Sequence, residues 1–261
     1  MMPPIPLHQF NPTERFSNRA EDYRKYRPTY PEAAIAFLLS DLPLKATIVD
    51  VGAGTGISSR LLAQQETGAA VIALEPNAAM RQVGELESIL LSSSHLTFQS
   101  GTAEATGLSD RSVDLVTAFQ AFHWFDHRVA LPEFHRILKP GGKLAVVWNN
   151  RDRGDVFTTR YGEALRSVLT QEPEQRLDIQ PLLEDATYFG VVQGLEVSHQ
   201  QALDLTSLLG LANSRSYTPR AGEAATRLMQ QLTDLYEEHV DEQGYVYLQY
   251  KTNVYLATRR D

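Results

Sequence analysis

The sequence predicts an α/β fold: one large, mostly parallel sheet with helices on both faces. Short β-branched runs alternate with stretches of helical spacing from Thr47 to Trp148, the pattern of successive βαβ units. A glycine-rich turn, Gly52-Ala53-Gly54-Thr55-Gly56, follows the first run and opens a helical stretch. The 261 residues, 43% of them hydrophobic, suffice for one large core and lie near the upper limit for an undivided α/β domain.

The first thirty residues are polar, aromatic and proline-punctuated, ending in Tyr23-Arg24-Lys25-Tyr26-Arg27-Pro28-Thr29-Tyr30-Pro31, and read as an arm or lid. Pro31 suits a first helical turn, and Ala33, Ala34, Phe37 and Leu38 recur at helical spacing up to about Ser40. Strands are expected at 47–51, 70–75, 95–99, 113–118 and 144–148, with helices over 57–66, from Ala78 and over 128–138. Lys139-Pro140-Gly141-Gly142 blocks continuation of the last of these helices. Beyond Arg151 the signals are mostly helical to about Gly190, then strand-like at 195–199, helical at 205–212 and 221–239, and strand-like at 245–258. The expected organisation is an arm with the first helix as a lid (1–40), a ligand-binding core (41–150), and a helical cap carrying two late edge strands of the same sheet (151–261). No fixed-period repeat or low-complexity tract argues for a solenoid.

With 32 acidic against 24 basic residues the net charge is -8, the wrong sign for neutralising phosphates over a broad face, so no nucleic-acid partner is expected. No apolar stretch approaches the roughly 18 residues of a membrane helix, and Met1 to Phe10 lacks the pattern of a signal peptide. A cytoplasmic protein, monomer or homodimer, with a small-molecule substrate and no membrane partner is the expectation. Zero cysteines exclude disulfides, zinc-thiolate sites and thiol nucleophiles, and no metal site is expected.

A strand ending in Asp50-Val51 that turns through Gly52, Gly54 and Gly56 into a helix lets backbone approach a nucleotide-type ligand. A dinucleotide fingerprint would place its third glycine at position 57, where this chain has Ile57. Glu75 ends the second strand, 19 residues after Gly56, where a carboxylate can accept hydrogen bonds from both hydroxyls of a ribose.

From Val49 to Trp148 the chain resembles the class I S-adenosylmethionine-dependent methyltransferases, which implies a Rossmann-like, seven-stranded, mostly parallel sheet and S-adenosyl-L-methionine as cofactor. Asp50, Gly52, Ala53, Gly54 and Gly56 resemble the family's first motif. Glu75 and Pro76 resemble its ribose-binding strand end, with Met80 beside them as a further cofactor contact. Thr102, Ala103 and Glu104 match the adenine loop, although many relatives open that loop with an acidic residue instead of Thr102. Gln120 and Ala121 belong to a segment, Asp114 to Trp124, that resembles the fourth motif beside the methyl group. Phe16-Ser17-Asn18-Arg19-Ala20 to Pro31, Gln120 to Phe125 and Ser214-Arg215-Ser216-Tyr217 look like the trans-aconitate methyltransferase-like subgroup, in which a carboxylate of a small acid is esterified and the arm closes over the ligand.

Methyl transfer from a sulfonium is an in-line displacement in a site closed to water. A carboxylate acceptor is already ionised and needs no base, whereas a hydroxyl, amine or carbon acid usually does. His123 is the candidate base or substrate contact, against a structural hydrogen bond as the other reading. Trp124 is a candidate pocket wall on the acceptor side. Arg24, Arg215 and Tyr217 are the further substrate candidates, since arginine grips carboxylates with paired hydrogen bonds. Tyr23 and Arg27 are assigned to the cofactor's methionine carboxylate, with the substrate as the alternative. The leading expectation is O-methylation of a carboxylate. Methylation of a carbon, nitrogen or hydroxyl, a nicotinamide-dependent oxidoreductase and a non-catalytic cofactor-binding protein remain as alternatives.

Overall fold

The structure, a computed structural model, describes residues 19–168, Ile179, Leu183, 187–215 and 217–261. Phe16, Ser17, Asn18 and Ser216 of the subgroup resemblance, and most of the 169–186 stretch expected to be helical, lie outside the described residues.

In chain order the elements are α1 (Ala20–Tyr26), α2 (Glu32–Leu39), β1 (Thr47–Val51), α3 (Ile57–Ala63), β2 (Ala70–Leu74), α4 (Ala78–Leu90), β3 (Leu96–Gln99) and β4 (Val113–Phe119). A 3-10 turn (Phe122–Trp124) leads to α5 (His127–Ile137), β5 (Leu138–Arg151), α6 (Val156–Ser167), β6 (Phe189–Leu203), α7 (Leu205–Asn213), α8 (Gly222–His239) and β7 (Val246–Arg259). The sheet order is β3-β2-β1-β4-β5-β7-β6. The first five strands are parallel, and β7 runs antiparallel to both β5 and β6. The sheet is therefore the seven-stranded, mostly parallel one that the sequence predicts. The two late strands lie together at one edge, as expected, with the last strand, β7, between β5 and β6.

The strand cores are apolar because both faces are covered by helices. Val49, Val116, Val146, Phe122 and Phe134 bury one face, and Ile48, Val71, Leu115, Ala145 and Val147 bury the other with Ile35 and Leu38 of α2. A third cluster, including Tyr161, Leu208, Leu211, Leu228, Leu232 and Tyr250, packs α6, α7 and α8 against the late strands. Aspartate and asparagine caps fix the helix starts: Asn77 accepts from the Met80 amide, Asp126 from Arg128, Asp155 from Thr158 and Asp204 from Ser207. Residues 139–142 do end α5, but β5 already begins at Leu138, and the Pro-Gly-Gly stretch bulges between the pairs Val113–Leu138 and Leu115–Lys143.

The arm contains a helix, α1, that its sequence periodicity does not announce. Tertiary ties hold it. The Arg19 guanidinium donates to the Asn213 carbonyl at 2.7 Å, to the Thr218 carbonyl at 2.9 Å, and to the Arg215 carbonyl. The Tyr26 ring fills the space where Gly210 has no side chain, 2.3 Å from the place a Cβ would occupy.

Candidate active site

The parallel strands end on one side of the sheet, where ligands of open α/β sheets bind. Gly52, Gly54 and Gly56 all adopt left-handed φ values, 69°, 59° and 77°, which disfavour any other residue. Two of the three also make room for protein rather than for a ligand. A Cβ on Gly52 would meet the Ala121 Cβ at 2.7 Å, and one on Gly56 would meet the Phe98 ring at 2.5 Å. At Gly52 and Gly54 those neighbours line the cavity: Ala121 and Phe125 beside the first, Met80 at 3.3 Å and Tyr23 at 3.8 Å beside the second. The Thr55 carbonyl accepts from Arg60 Nη1 at 2.6 Å, which braces the turn from the α3 side.

Glu75 is 8% exposed at the end of β2. Its Oε2 accepts the Gly54 amide at 2.8 Å and its Oε1 accepts the Asn77 amide at 2.8 Å. Each oxygen keeps a further lone pair for a ligand hydroxyl. Burial raises the carboxyl above its ordinary range, the two amides and the Arg81 charge pulling the other way.

A cavity of about 460 Å³ opens beside this carboxylate. It brings together, of the residues singled out from sequence, Tyr23, Gly52, Gly54, Glu75, Pro76, Met80, Thr102, Ala103, Glu104, Gln120, Ala121 and Trp124. Gly101, Phe119, Phe125 and Asp126 complete it. The loop after β3 is shaped by its own bonds: Thr102 Oγ1 accepts the Ala105 amide at 3.2 Å, and Glu104 Oε1 accepts the Asp126 amide at 2.9 Å. Glu133 on α5 holds the loop's far end, its Oε1 accepting the Thr106 amide at 3.0 Å and the Thr106 hydroxyl at 2.5 Å. Gln120 takes a left-handed φ of 53°, strained for a side-chain-bearing residue. Its Nε2 donates to the Asn149 carbonyl at 2.9 Å.

A small recess shares Tyr23, Gly52, Phe119 and Gln120 with the cavity and adds Arg27, Pro28, Tyr30, Ala53, Ile57, Ser58 and Asn149. The Arg27 guanidinium lies 4.6 Å from the centre of the Tyr23 ring, a cation–π arrangement. Asn149 is buried with its amide donating to the Thr29 carbonyl at 2.9 Å and its oxygen accepting the Thr252 hydroxyl at 2.6 Å. Nothing local in the sequence marks it, because both partners are about a hundred residues away.

Several candidates stand elsewhere. Asp50 lies beneath the turn: Oδ2 accepts Ser58 and Ser59 hydroxyls, each at 2.6 Å, and Oδ1 accepts Thr117 at 2.9 Å. Burial raises its carboxyl, the three hydroxyls opposing. Its position is that of a brace for the turn rather than of a ligand contact. Gly56 is likewise outside the lining, as the left-handed cap of α3. Arg24 is held by Glu87 at 2.7 Å and Glu21 at 3.0 Å. His123 lines neither space; its ring sits between Trp124 and Trp148, at 4.9 and 5.0 Å. Arg215 and Tyr217 are joined at 2.9 Å under the cap, away from the cavity lining.

A methyltransferase-domain profile matches residues 49–146. An uncharacterized methyltransferase of Mycobacterium tuberculosis is 36% identical over 203 residues, 77% of this chain and 76% of that protein. A trans-aconitate 2-methyltransferase of Methylobacterium radiotolerans is 38% identical over 114 residues, 42% of each chain. Among solved structures, the YcgJ protein of Bacillus subtilis superposes with a TM-score of 0.59 at 16% identity, covering 88% of this chain and 100% of that one. That likeness speaks to the fold alone. With the glycine turn, the clamped strand-end carboxylate and the profile falling on one stretch of chain, the protein belongs to the class I S-adenosylmethionine-dependent methyltransferases.

Proposed function

We propose that this methyltransferase moves a methyl group from S-adenosyl-L-methionine to a carboxylate oxygen of a small organic acid. The observation that carries the acceptor's chemistry is a cationic wall without an imidazole: Arg27 borders the recess adjoining the cavity, and His123 borders neither space. A carboxylate attacks in its ionised form, so orientation and exclusion of water suffice and no base is required.

The cavity fits the cofactor. Its volume is in the range of small-molecule sites, and a buried carboxylate with free lone pairs stands on its wall. Glu75 would accept the ribose hydroxyls, Thr102 to Glu104 would bound the adenine, and Gly52 to Gly54 with Tyr23 would face the amino-acid end. S-adenosyl-L-methionine supplies there a methyl group made electrophilic by its sulfonium. Phe119, Trp124 and Phe125 shield that end from water, and Arg27 orients the acceptor's carboxylate by charge and paired donors. An acidic chain with no helix fit to span a membrane among its described residues agrees with a small, free acceptor in the cytoplasm.

The test is transfer of label from S-adenosyl-L-[methyl-³H]methionine to a panel of organic acids. A carboxyl ester releases its label as volatile methanol in mild base. Label that stays fixed through base treatment would place the methyl on carbon, nitrogen or an ether oxygen and overturn the proposal.

A further inference from the structure

Helix α4 is seated closely on the glycine turn. Gly84 permits the approach: a Cβ there would lie 2.5 Å from the Phe98 ring and 3.1 Å from the Thr55 carbonyl carbon. Three residues further along α4, Glu87 Oε1 accepts Nη1 of Arg24, on α1, at 2.7 Å. Glu21, one turn back in α1, accepts Arg24 Nε at 3.0 Å and so holds the guanidinium aimed at α4. The side chains of Arg24 and Glu87 are only 32% and 21% exposed, which withdraws the pair from part of the screening that weakens surface pairs. A second arginine shares the field of this carboxylate. Burial lowers Arg60 of α3, the Glu87 charge opposing and the Arg24 charge adding to it, while Arg60 Nη1 braces the turn at the Thr55 carbonyl.

Tyr23 precedes Arg24 in α1 and lines the donor cavity, with a ring carbon 3.8 Å from the place of a Cβ on Gly54. Away from the core, Asp22 pairs with Arg220 at 2.6 Å, and Arg19 donates to the Asn213 and Thr218 carbonyls. Helix α1 therefore bridges the cap and the core, with Arg24 and Glu87 on the core side. Neither of the two lines the cavity or the recess. Lifting Tyr23 from the glycine turn carries its neighbour Arg24 away from α4 and parts the pair.

We propose that Arg24 and Glu87 are positioning residues that latch α1 beside the glycine turn, so that their ion pair sets how fast S-adenosyl-L-methionine enters the cavity and S-adenosylhomocysteine leaves it. Both partners belong to the protein, so the pair adds to the barrier for entry and for exit alike and leaves the affinity nearly unchanged. The latch rests on the cofactor site proposed above. Absence of any S-adenosylhomocysteine binding would sink site and latch together, whereas binding with unaltered exchange rates in the variants would sink the latch alone.

The experiment measures association and dissociation of S-adenosylhomocysteine on the full chain. Association is followed by stopped-flow tryptophan fluorescence, since Trp124 lines the cavity, and dissociation by chasing tritiated ligand with unlabelled. In Glu87→Gln and in Arg24→Met both rate constants should rise about three- to tenfold, with the dissociation constant within about threefold of the parent. The double variant should exchange no faster than either single one, and the charge-swapped pair Arg24→Glu, Glu87→Arg should return to within about twofold of the parent. The parent alone supplies a second measurement: raising the salt from about 0.05 M to about 1 M should speed its exchange and leave that of Glu87→Gln unchanged. Rates in the single variants equal to the parent's would overturn the latch. So would faster dissociation with unchanged association and a lowered melting temperature, which would make Glu87 a support of the fold instead.

Discussion

Replacing Glu75 by glutamine keeps the side chain's shape and removes its charge. In the parent each carboxylate oxygen holds one backbone amide, Gly54 on Oε2 and Asn77 on Oε1, and each keeps a lone pair toward the cavity. Glutamine turns one oxygen into an NH2 donor. One ribose hydroxyl then loses its acceptor, and one backbone amide faces another donor. A hydrogen bond to a charged group contributes about 1.5–3 kcal/mol, which at 1.4 kcal/mol per decade is roughly a 10- to 150-fold loss of affinity. Calorimetric titration of parent and variant with S-adenosylhomocysteine measures this directly. The unliganded variant should remain folded, because removing a buried charge offsets part of the amide mismatch. Dissociation constants within about threefold of each other would refute the ribose role of Glu75.

Three further outcomes are expected. Gly56→Ala must hold a left-handed φ of 77° and a Cβ 2.5 Å from the Phe98 ring; scanning calorimetry should show the melting temperature falling on the order of 10 °C, and an unchanged melt would mean that β3 yields easily. His123→Asn should leave turnover within about threefold of the parent, whereas a hundredfold loss in kcat at unchanged stability would restore His123 as a base and remove the carboxylate acceptor. Glu133 is lowered to about 2, chiefly by its hydrogen bond from Arg136. A depressed carboxylate contributes stability above its unfolded value that is lost as pH falls, so Glu133→Gln should be less stable than the parent by about 1–2 kcal/mol at neutral pH, after allowing for the solvent that reaches Arg136. Urea denaturation should show the gap closing between about pH 4.5 and pH 2; a gap independent of pH would refute the ion pair as its source.

The parts of the molecule that local chemistry decides were legible in the sequence. The five parallel strands follow from β-branched runs between helical stretches, and the glycine turn and Glu75 follow from backbone geometry and a strand-end carboxylate. The order of β6 and β7 was not legible, because which strand pairs with β5 depends on contacts about a hundred residues apart. Arg24 reads as available in a basic arm, but Glu87, 63 residues on, captures it. His123 follows β4 as a candidate should, yet a single 3-10 turn rotates it between two indoles. Asp50 shows the same limit: its motif position is right, while its oxygens turn inward to three hydroxyls.

The short helix α1 touches both halves of the site, with Tyr23 on the cavity and Arg27 on the recess. Arg19 and Tyr26 fasten that helix to α7 and the segment after it, and the Tyr26 carbonyl accepts Gln201 Nε2 of β6 at 2.9 Å. A molecule that seats against Tyr23 thus settles Arg27 in the same event, because four residues of one helical turn separate them. Any effect of one bound molecule on the other that passes through this turn must be returned in equal measure, as thermodynamic reciprocity requires.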